Sequence, residues 1–482
     1  MIEKVKKNDN LVVFTLMLLI AIGMIGESSV NTGDELWNFN FAYKIFYGSK
    51  MYTDLNIIIP PFFHYIINLV FHIIGTNIVT FKIVGIINYC TMNLIIYNIF
   101  KTVKINKKNA ISYIMIMQLT IYPLFLGSTN YNLLALTFVL FGVLLLIKYK
   151  SNYSWIMQGM ISYIILFTKQ NIGVYYLIAI TLVEFITKGI NLNTIKKLAK
   201  QMIITIVLLS FNLFLMYLEG NLYDFINYTI LGIRDFTHNF WVGIDVILLV
   251  CIDIIILIVT IFMSKKKILE ENKNEILYIL AIYSIVLSLV IYPIVNTYHV
   301  KLAIIFPFIT LIYLIHNLIF KEFNVNKVIN IISIVIFCAL FMFSTFCGSY
   351  WIRNAKFNLP YNHPYYGGVF EKETEEKIEK INEYILEQQK DGHNVIVLSK
   401  NAALYMLPLQ KNNGIFDLPF IGNLGKEGED GLIKKISELR SCKILISTEE
   451  RFWQESQKAI DYVKQNYSKI DEIEEFEIYE IL

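Results

Sequence analysis

The chain has 482 residues, of which 56% are hydrophobic, 15% aromatic and 17% charged, whereas soluble domains carry about a quarter charged residues. With a mean hydropathy of +0.53, this excludes a soluble globular enzyme, a disordered chain and a disulfide scaffold, and leaves a polytopic α-helical membrane protein. The net charge of +3 is unevenly spread: residues 1–347 carry 25 Lys+Arg against 16 Asp+Glu, and residues 348–482 carry 17 against 23.

In chain order, the first apolar run covers 11–25. Met24-Ile25-Gly26-Glu27 lacks a small-x-small cleavage site, so the run is expected to persist as an anchor. Further runs lie near 78–100, 111–126, 131–147, 155–167, 172–187, 201–218, 242–263, 276–293, 302–319 and 328–347. The run 60–75 opens with Pro60-Pro61 and contains His64, Asn68 and His72. Charge decides its status, because Lys-rich loops face the cytoplasm. With 60–75 held in the outer leaflet, the inner loops (1–10, 101–109, 148–154, 188–200, 264–275 and 320–327) carry 19 Lys+Arg. The outer face then keeps Lys44, Lys50, Lys82, Lys169, Arg234 and Lys301. The expectation is about eleven spans in a multi-pass plasma-membrane protein, with the N-terminus cytoplasmic and the tail extracytoplasmic. Trp155, Trp241 and Trp351 fall at span ends, as interfacial aromatics do. The five cysteines show no CxxC spacing, and no basic tract with interleaved aromatics points to nucleic acid.

After 348 the composition turns polar. A charged helix over 371–389, a helix-like 430–440, and strands at 394–398, 443–447 and 475–479 (the last alternating like an edge strand) describe a small α/β domain. The expected domains are therefore a membrane domain over 1–347, with a first external loop at 27–77, and an extracytoplasmic domain over 348–482. Loop glycines in 423–428 form no nucleotide fingerprint. Acceptor recognition, a cover over a membrane site and packing on the outer loops all stay open for this tail.

Acids and bases from distant parts of the chain collect on the expected outer face: Glu27, Asp34, Glu35, Asp54, Glu219, Asp224 and Asp235, with Lys169, Arg234, His238, His299 and Lys301. Glu27, Glu219 and Asp224 read as ordinary polar loop residues. In 33–61, Leu36, Phe39, Tyr43 and Phe46 recur at helical spacing, which describes a short helix in the headgroup zone. Asp34 and Glu35 stand at its N-terminus, where the helix dipole favours carboxylates. Capping accounts for one acid there; two acids beside scattered cations point to a reaction centre. His64 and His72 are eight apart, which is not a zinc spacing.

Gly33-Asp34-Glu35-x-Trp37, Tyr52-Thr53-Asp54 and Pro60-Pro61-Phe62-Phe63 resemble the first external loop of protein-mannosyltransferase-like membrane glycosyltransferases, the GT-C fold group, in its Rgt-like bacterial branch. Tyr131-Asn132-Leu133-Leu134 at a span start and Phe167-Thr168-Lys169-Gln170-Asn171-x-Gly173 between two spans extend the likeness over roughly 10–180. The resemblance implies transfer of a sugar from a polyprenyl-phosphate carrier to a saccharide, lipid or protein acceptor at the outer membrane face. It makes Asp34 the general base; Glu35, the second acid of the pair, is the other catalytic candidate. Tyr52, Asp54, Asn132, Lys169, Gln170, Asn171, His299 and Lys301 are then the candidate substrate-binding residues, Lys169 foremost as a cation for the departing phosphate. Many relatives carry an aspartate where this chain has Asn132. An amide is no base and a poor ligand for a hard cation, so no cofactor or metal is expected, although Glu35 could still help hold a divalent cation. Two other classes compete. A transporter or flippase of lipid-linked saccharides would place acids mid-bilayer on broken helices, often with an internal repeat; of the acids within expected spans, Glu184 and Asp245 lie near span ends, Asp253 alone lies deeper, and no repeat is found. A non-catalytic envelope scaffold would tolerate Asn132.

Overall fold

The computed structural model describes residues 9–26, 33–125, 129–149, 154–233, 243–266, 268–318, 326–409, 414–449 and 454–481. Glu27, Arg234, Asp235, His238 and Trp241 lie outside the described residues. Eight described helices are long and apolar enough to cross a membrane: Asp9–Gly26, Ile78–Thr102 (α4), Tyr131–Lys148 (α6), Gln170–Lys188 (α8), Leu192–Glu219 (α9), Ile244–Lys265 (α11), Glu271–Ile291 and Lys327–Asn354. The first contains α1 (Asp9–Ala21), the seventh α12 (Glu271–Leu287), and the last lies in α15 (Asn326–Asn354). A bent pair, α13 (Thr297–Ala303) and α14 (Ile305–Leu318), kinked by 41°, makes a ninth span if continuous. The other two expected runs form α5 (Lys107–Phe125), with Lys107 and Lys108 in its first turn, and the short α7 (Ser154–Leu166). The ambiguous run forms α3 (Phe62–Ile74). Its 13 residues rise only about 20 Å, against a hydrocarbon core of about 30 Å.

The chain divides into two compact units, neither contiguous. The first comprises Met1–Ile25, Gly85–Asn212 and Asn239–Ser349. Its core runs through Val13, Met17, Tyr89, Tyr97, Leu136, Tyr176, Tyr283 and Phe306. Helices in lipid gain little from apolar contact and are joined by close packing and polar bonds. Tyr89 Oη donates to Gln118 Oε1 at 2.5 Å and Gln118 Nε2 to Asn93 Oδ1 at 2.7 Å, joining α4 to α5. Gln158 Nε2 donates to the Gly142 carbonyl at 3.1 Å and Thr205 Oγ1 to that of Gly159 at 3.0 Å, tying α7 to α6 and α9. Outside this core, α9, α11 and α15 leave apolar rows exposed, among them Ile203, Val207 and Phe211, Ile254 and Ile258, and Ile331 and Val335. Acyl chains cover such rows without cost.

The second unit comprises Gly26–Val84, Leu213–His238 and Tyr350–Leu482. It joins the first loop to the tail. The loop begins with α2 (Asp34–Phe46). From it, Trp37 lies edge-on to Phe420 at 5.1 Å, and Asn56 Nδ2 donates to the carbonyls of Ile415, Leu418 and Asn423 at 3.3, 2.7 and 3.2 Å. Lys44 forms a buried ion pair with Asp417, whose Oδ2 also accepts from Asn40 Nδ2 at 3.2 Å. The tail carries β1 (Asn394–Leu398), β2 (Cys442–Ser447), β3 (Ser468–Ile473) and β4 (Phe476–Ile481), ordered β1-β2-β4-β3. β1 and β2 are parallel and the other pairs antiparallel. Ile436, Ile444, Ile446 and Val463 form the core under the sheet. Thus 475–479 is an inner strand: β3, exposed along nearly its whole length, takes the edge. The five cysteines are free.

Candidate active site

Helix α2 starts abruptly. Gly33 precedes it at φ 96° and ψ −148°, a conformation open in practice to glycine alone. The chain therefore turns straight into a first helical turn that holds both acids. Their settings differ. Glu35 is 3% exposed, with Lys82 Nζ 4.0 Å from its Oε1. A carboxylate removed from water persists when a cation answers it, and Lys82 does so from α4. Asp34 is only partly buried, and its carbonyl accepts from Asn38 Nδ2 at 2.6 Å. Tyr52 and Asp54 serve the following turn. Tyr52, at φ 67°, donates its hydroxyl to the Ile59 carbonyl at 2.9 Å and packs edge-on against Phe225. Asp54 Oδ2 accepts the Lys50 N–H at 2.7 Å. These two side chains are engaged in shaping the loop.

The remaining candidates belong to the helical unit. Asn130 caps α6, its Oδ1 accepting the Asn132 N–H at 2.6 Å, and Asn132 is buried in the first turn. Lys169 is the N-cap of α8 and makes no side-chain capping bond. Its ammonium lies over the Tyr131 ring, 4.6 Å from the centroid, a cation–π contact that brings the two helix starts together. Gln170 is the first residue of α8. Asn171 Nδ2 donates to the Tyr292 carbonyl at 3.2 Å. His299 is held by Asn296, whose Oδ1 accepts its N–H at 2.9 Å and lies 2.8 Å from its Nδ1, and it is near enough to Lys169 to feel that charge. Lys301 stands in the last turn of α13, half-buried.

Lys169 occupies an unfavourable place. N-caps prefer Ser, Thr, Asp or Asn, and a cation at the positive end of a helix costs about 0.3–1 kcal/mol. Tyr131 stacking offsets part of that cost. Two helix starts and an ammonium form a positive cradle suited to a phosphate.

The solved structure of ArnT from Cupriavidus metallidurans in the apo state, a GT-C glycosyltransferase, aligns with 97% of this chain and with 97% of its own, at a TM-score of 0.54 and 9% identity. The chain has the GT-C fold of membrane glycosyltransferases. No family model matches the sequence, and no curated protein does. At this identity the likeness carries the GT-C fold alone and leaves residue roles to the local chemistry.

The ten expected residues thus divide by unit: Asp34, Glu35, Tyr52 and Asp54 in one, and Asn132, Lys169, Gln170, Asn171, His299 and Lys301 in the other. Lys82 as the partner of Glu35, Tyr131 as the platform under Lys169 and Asn296 as the holder of His299 escaped the sequence reading. Each is an ordinary residue until its neighbour is known, although Lys82, a lone charge in the first turns of a span, was a visible signal. Among the described residues no three His, Cys, Asp or Glu side chains converge as metal ligands. The acids within spans have local partners. Asp253 Oδ1 accepts from Ser284 Oγ at 3.2 Å, Asp245 Oδ1 accepts the Val246 N–H at 3.0 Å, and Glu184 pairs with Lys188 and Lys197.

Proposed function

We propose that the protein transfers a sugar from a polyprenyl-phosphate-linked donor to a cell-envelope acceptor at the outer membrane face, with inversion at the anomeric carbon. The observation that carries this reading is the division of labour between the two acids at the start of α2. Glu35 is buried with Lys82, while Asp34, half-exposed beside it, has a carboxylate suited to take up a proton. The acceptor hydroxyl attacks the anomeric carbon from the side opposite the phosphate and gives its proton to Asp34. The anomeric C–O bond breaks, and its electron pair leaves with the lipid phosphate. General-base help of this kind contributes about 10²–10⁴-fold. Lys169, with the starts of α6 and α8, bears the charge on the departing phosphate, and His299 and Lys301 support it. Glu35 acts through Lys82 as a positioning residue.

The orientation follows from charge and connectivity. The first loop and the tail share one compact unit, which supports putting both on one side. The Lys-rich loops take the cytoplasmic side together with the N-terminus.

The test is release of polyprenyl phosphate from a polyprenyl-phosphate sugar by the purified protein, wild type against Asp34→Asn. Release that needs Asp34 supports the reading. Translocation of the sugar lipid without bond cleavage replaces it with a flippase.

A further inference from the structure

At the end of α6 and α8 away from Tyr131 and Lys169, the helical unit holds a cavity of about 480 Å³. Val183, the cavity's nearest lining residue on α8, lies 14 residues beyond Lys169, about 21 Å along the helix, so the cavity is not the cradle described above. Lys188, Lys196, Lys197 and Lys200 line it, with Glu184 and Glu275. Glu184, 3% exposed, accepts from Lys188 at 2.9 Å and from Lys197 at 2.6 Å. Four ammoniums thus face two carboxylates, and the cavity keeps two positive charges in excess. Lys196 and Lys200, one turn apart on α9, are exposed. Lys200 lies 5.6 Å from the Trp155 ring centroid, and Leu146, Val183 and Ile279 supply an apolar wall.

This arrangement is unfavourable when empty of anions. Like charges at i and i+4 repel. A negative group removes that cost. The apolar wall and a half-buried Trp155 match the acyl boundary, where aromatic side chains settle.

We propose that this cavity binds the phosphate headgroup of an anionic phospholipid in the leaflet at the Lys-rich face, opposite the leaflet of the proposed sugar transfer. The positive excess attracts the single negative charge of a phosphodiester, and the apolar wall fits the first carbons of its chains. Lys196 and Lys200 contact the phosphate, Trp155 flanks the glycerol, and the Glu184 pairs hold the frame. The same phosphate chemistry in a soluble compound would lack the apolar half of the contact.

The experiment compares the full-length wild type with the double variant Lys196→Gln/Lys200→Gln in detergent, reading bound lipid by native mass spectrometry and the thermal midpoint during titration with phosphatidylglycerol, phosphatidylcholine or inorganic phosphate. Neither lysine belongs to the Glu184 pairs or to the proposed catalytic machinery. The wild type is expected to bind phosphatidylglycerol over phosphatidylcholine, and more weakly as salt rises. The variant is expected to bind it roughly thirty-fold more weakly, since each surface lysine contributes about 1 kcal/mol to anionic-lipid attraction. Equal binding of the two lipids, salt-independent binding by the wild type, or an unchanged variant overturns the proposal. Protection by inorganic phosphate with none from phosphatidylglycerol overturns it in favour of a soluble ligand.

Discussion

Replacing Lys44 with methionine should unfold the second unit well below the wild-type temperature. Lys44 is 4% exposed and Asp417 fully buried, and the two are paired. Asp417 Oδ1 has no hydrogen-bond partner among the described residues, and Oδ2 otherwise accepts only from Asn40 Nδ2 at 3.2 Å. Methionine fills nearly the same volume, so the loss is electrostatic. It leaves a buried carboxylate held by one amide, which costs about 3–5 kcal/mol. For a unit of about 220 residues that is a fall of roughly 6–20 °C in its melting point. The double variant Lys44→Met/Asp417→Leu removes both charges and should recover most of the loss, because well-packed apolar replacements of a buried pair are neutral or stabilising. Trp37 lies against Phe420 at the same junction, so intrinsic tryptophan fluorescence during heating reads the transition. Below the melting point, sugar release measures whether α2 still presents Asp34. A fall of under about 2 °C in Lys44→Met, or a double variant as damaged as the two singles together, refutes the assignment of this pair as the clamp on α2.

Asp34→Asn should lower sugar release by about 10²–10⁴-fold with an unchanged melting point; a comparable rate in both proteins removes Asp34 as the base. Gly33→Ala should cost about 1–3 kcal/mol in thermal unfolding, from backbone strain alone, because nothing lies within 4 Å of the added Cβ. Full burial between Phe41 and Phe63 holds the His64 imidazole neutral, its pKa down at about 3 from 6.5. The unfolded chain therefore takes up a proton that the folded chain refuses, and stability falls as pH drops from about 6.5 toward 3. His64→Phe should flatten that acid slope in melting point against pH, and an unaltered slope would assign it to other groups. Glu477 works in the tail with the usual carboxylate sign. Lys464 and Lys469 hold its pKa near 2, from 4.5, so its contribution is present above about pH 4.5 and fades toward pH 2. The difference in melting point between wild type and Glu477→Gln should shrink over that range.

Hydropathy was enough for the helical framework, because a bilayer demands long apolar runs whatever packs beside them. It was weaker in the tail. β4 reads as an edge strand because Glu477 and Glu480 interrupt its apolar residues, yet both its faces are covered: Phe476 and Ile478 are buried on one, and Tyr479 and Ile481 on the other join the core of Ile444 and Val463. β3 was missed because Ser468, Lys469, Asp471 and Glu472 bury nothing. The union of the first loop with the tail was likewise hidden. It depends on Asn56 reaching three carbonyls and on Asp417 meeting Lys44, and such residues look like surface polars until the chain is folded.

The site was most readable where local rules are broken. Two acids at the start of α2 agree with the dipole and taken alone would pass for capping. Lys169 at the N-cap of α8 opposes it. A cation at a helix start is a standing cost that selection removes unless something negative visits. Gln170–Lys188 bears this signature at its first end; near its last, Lys196 and Lys200 instead crowd each other one turn apart on α9. The placement of these lysines, more than their abundance, is what the two proposed phosphate sites rest on. The two sites differ in their neighbours: a tyrosine platform and buried amides at one end, and a tryptophan with an apolar wall at the other. The first suits a headgroup that arrives and departs in each turnover, the second one that stays.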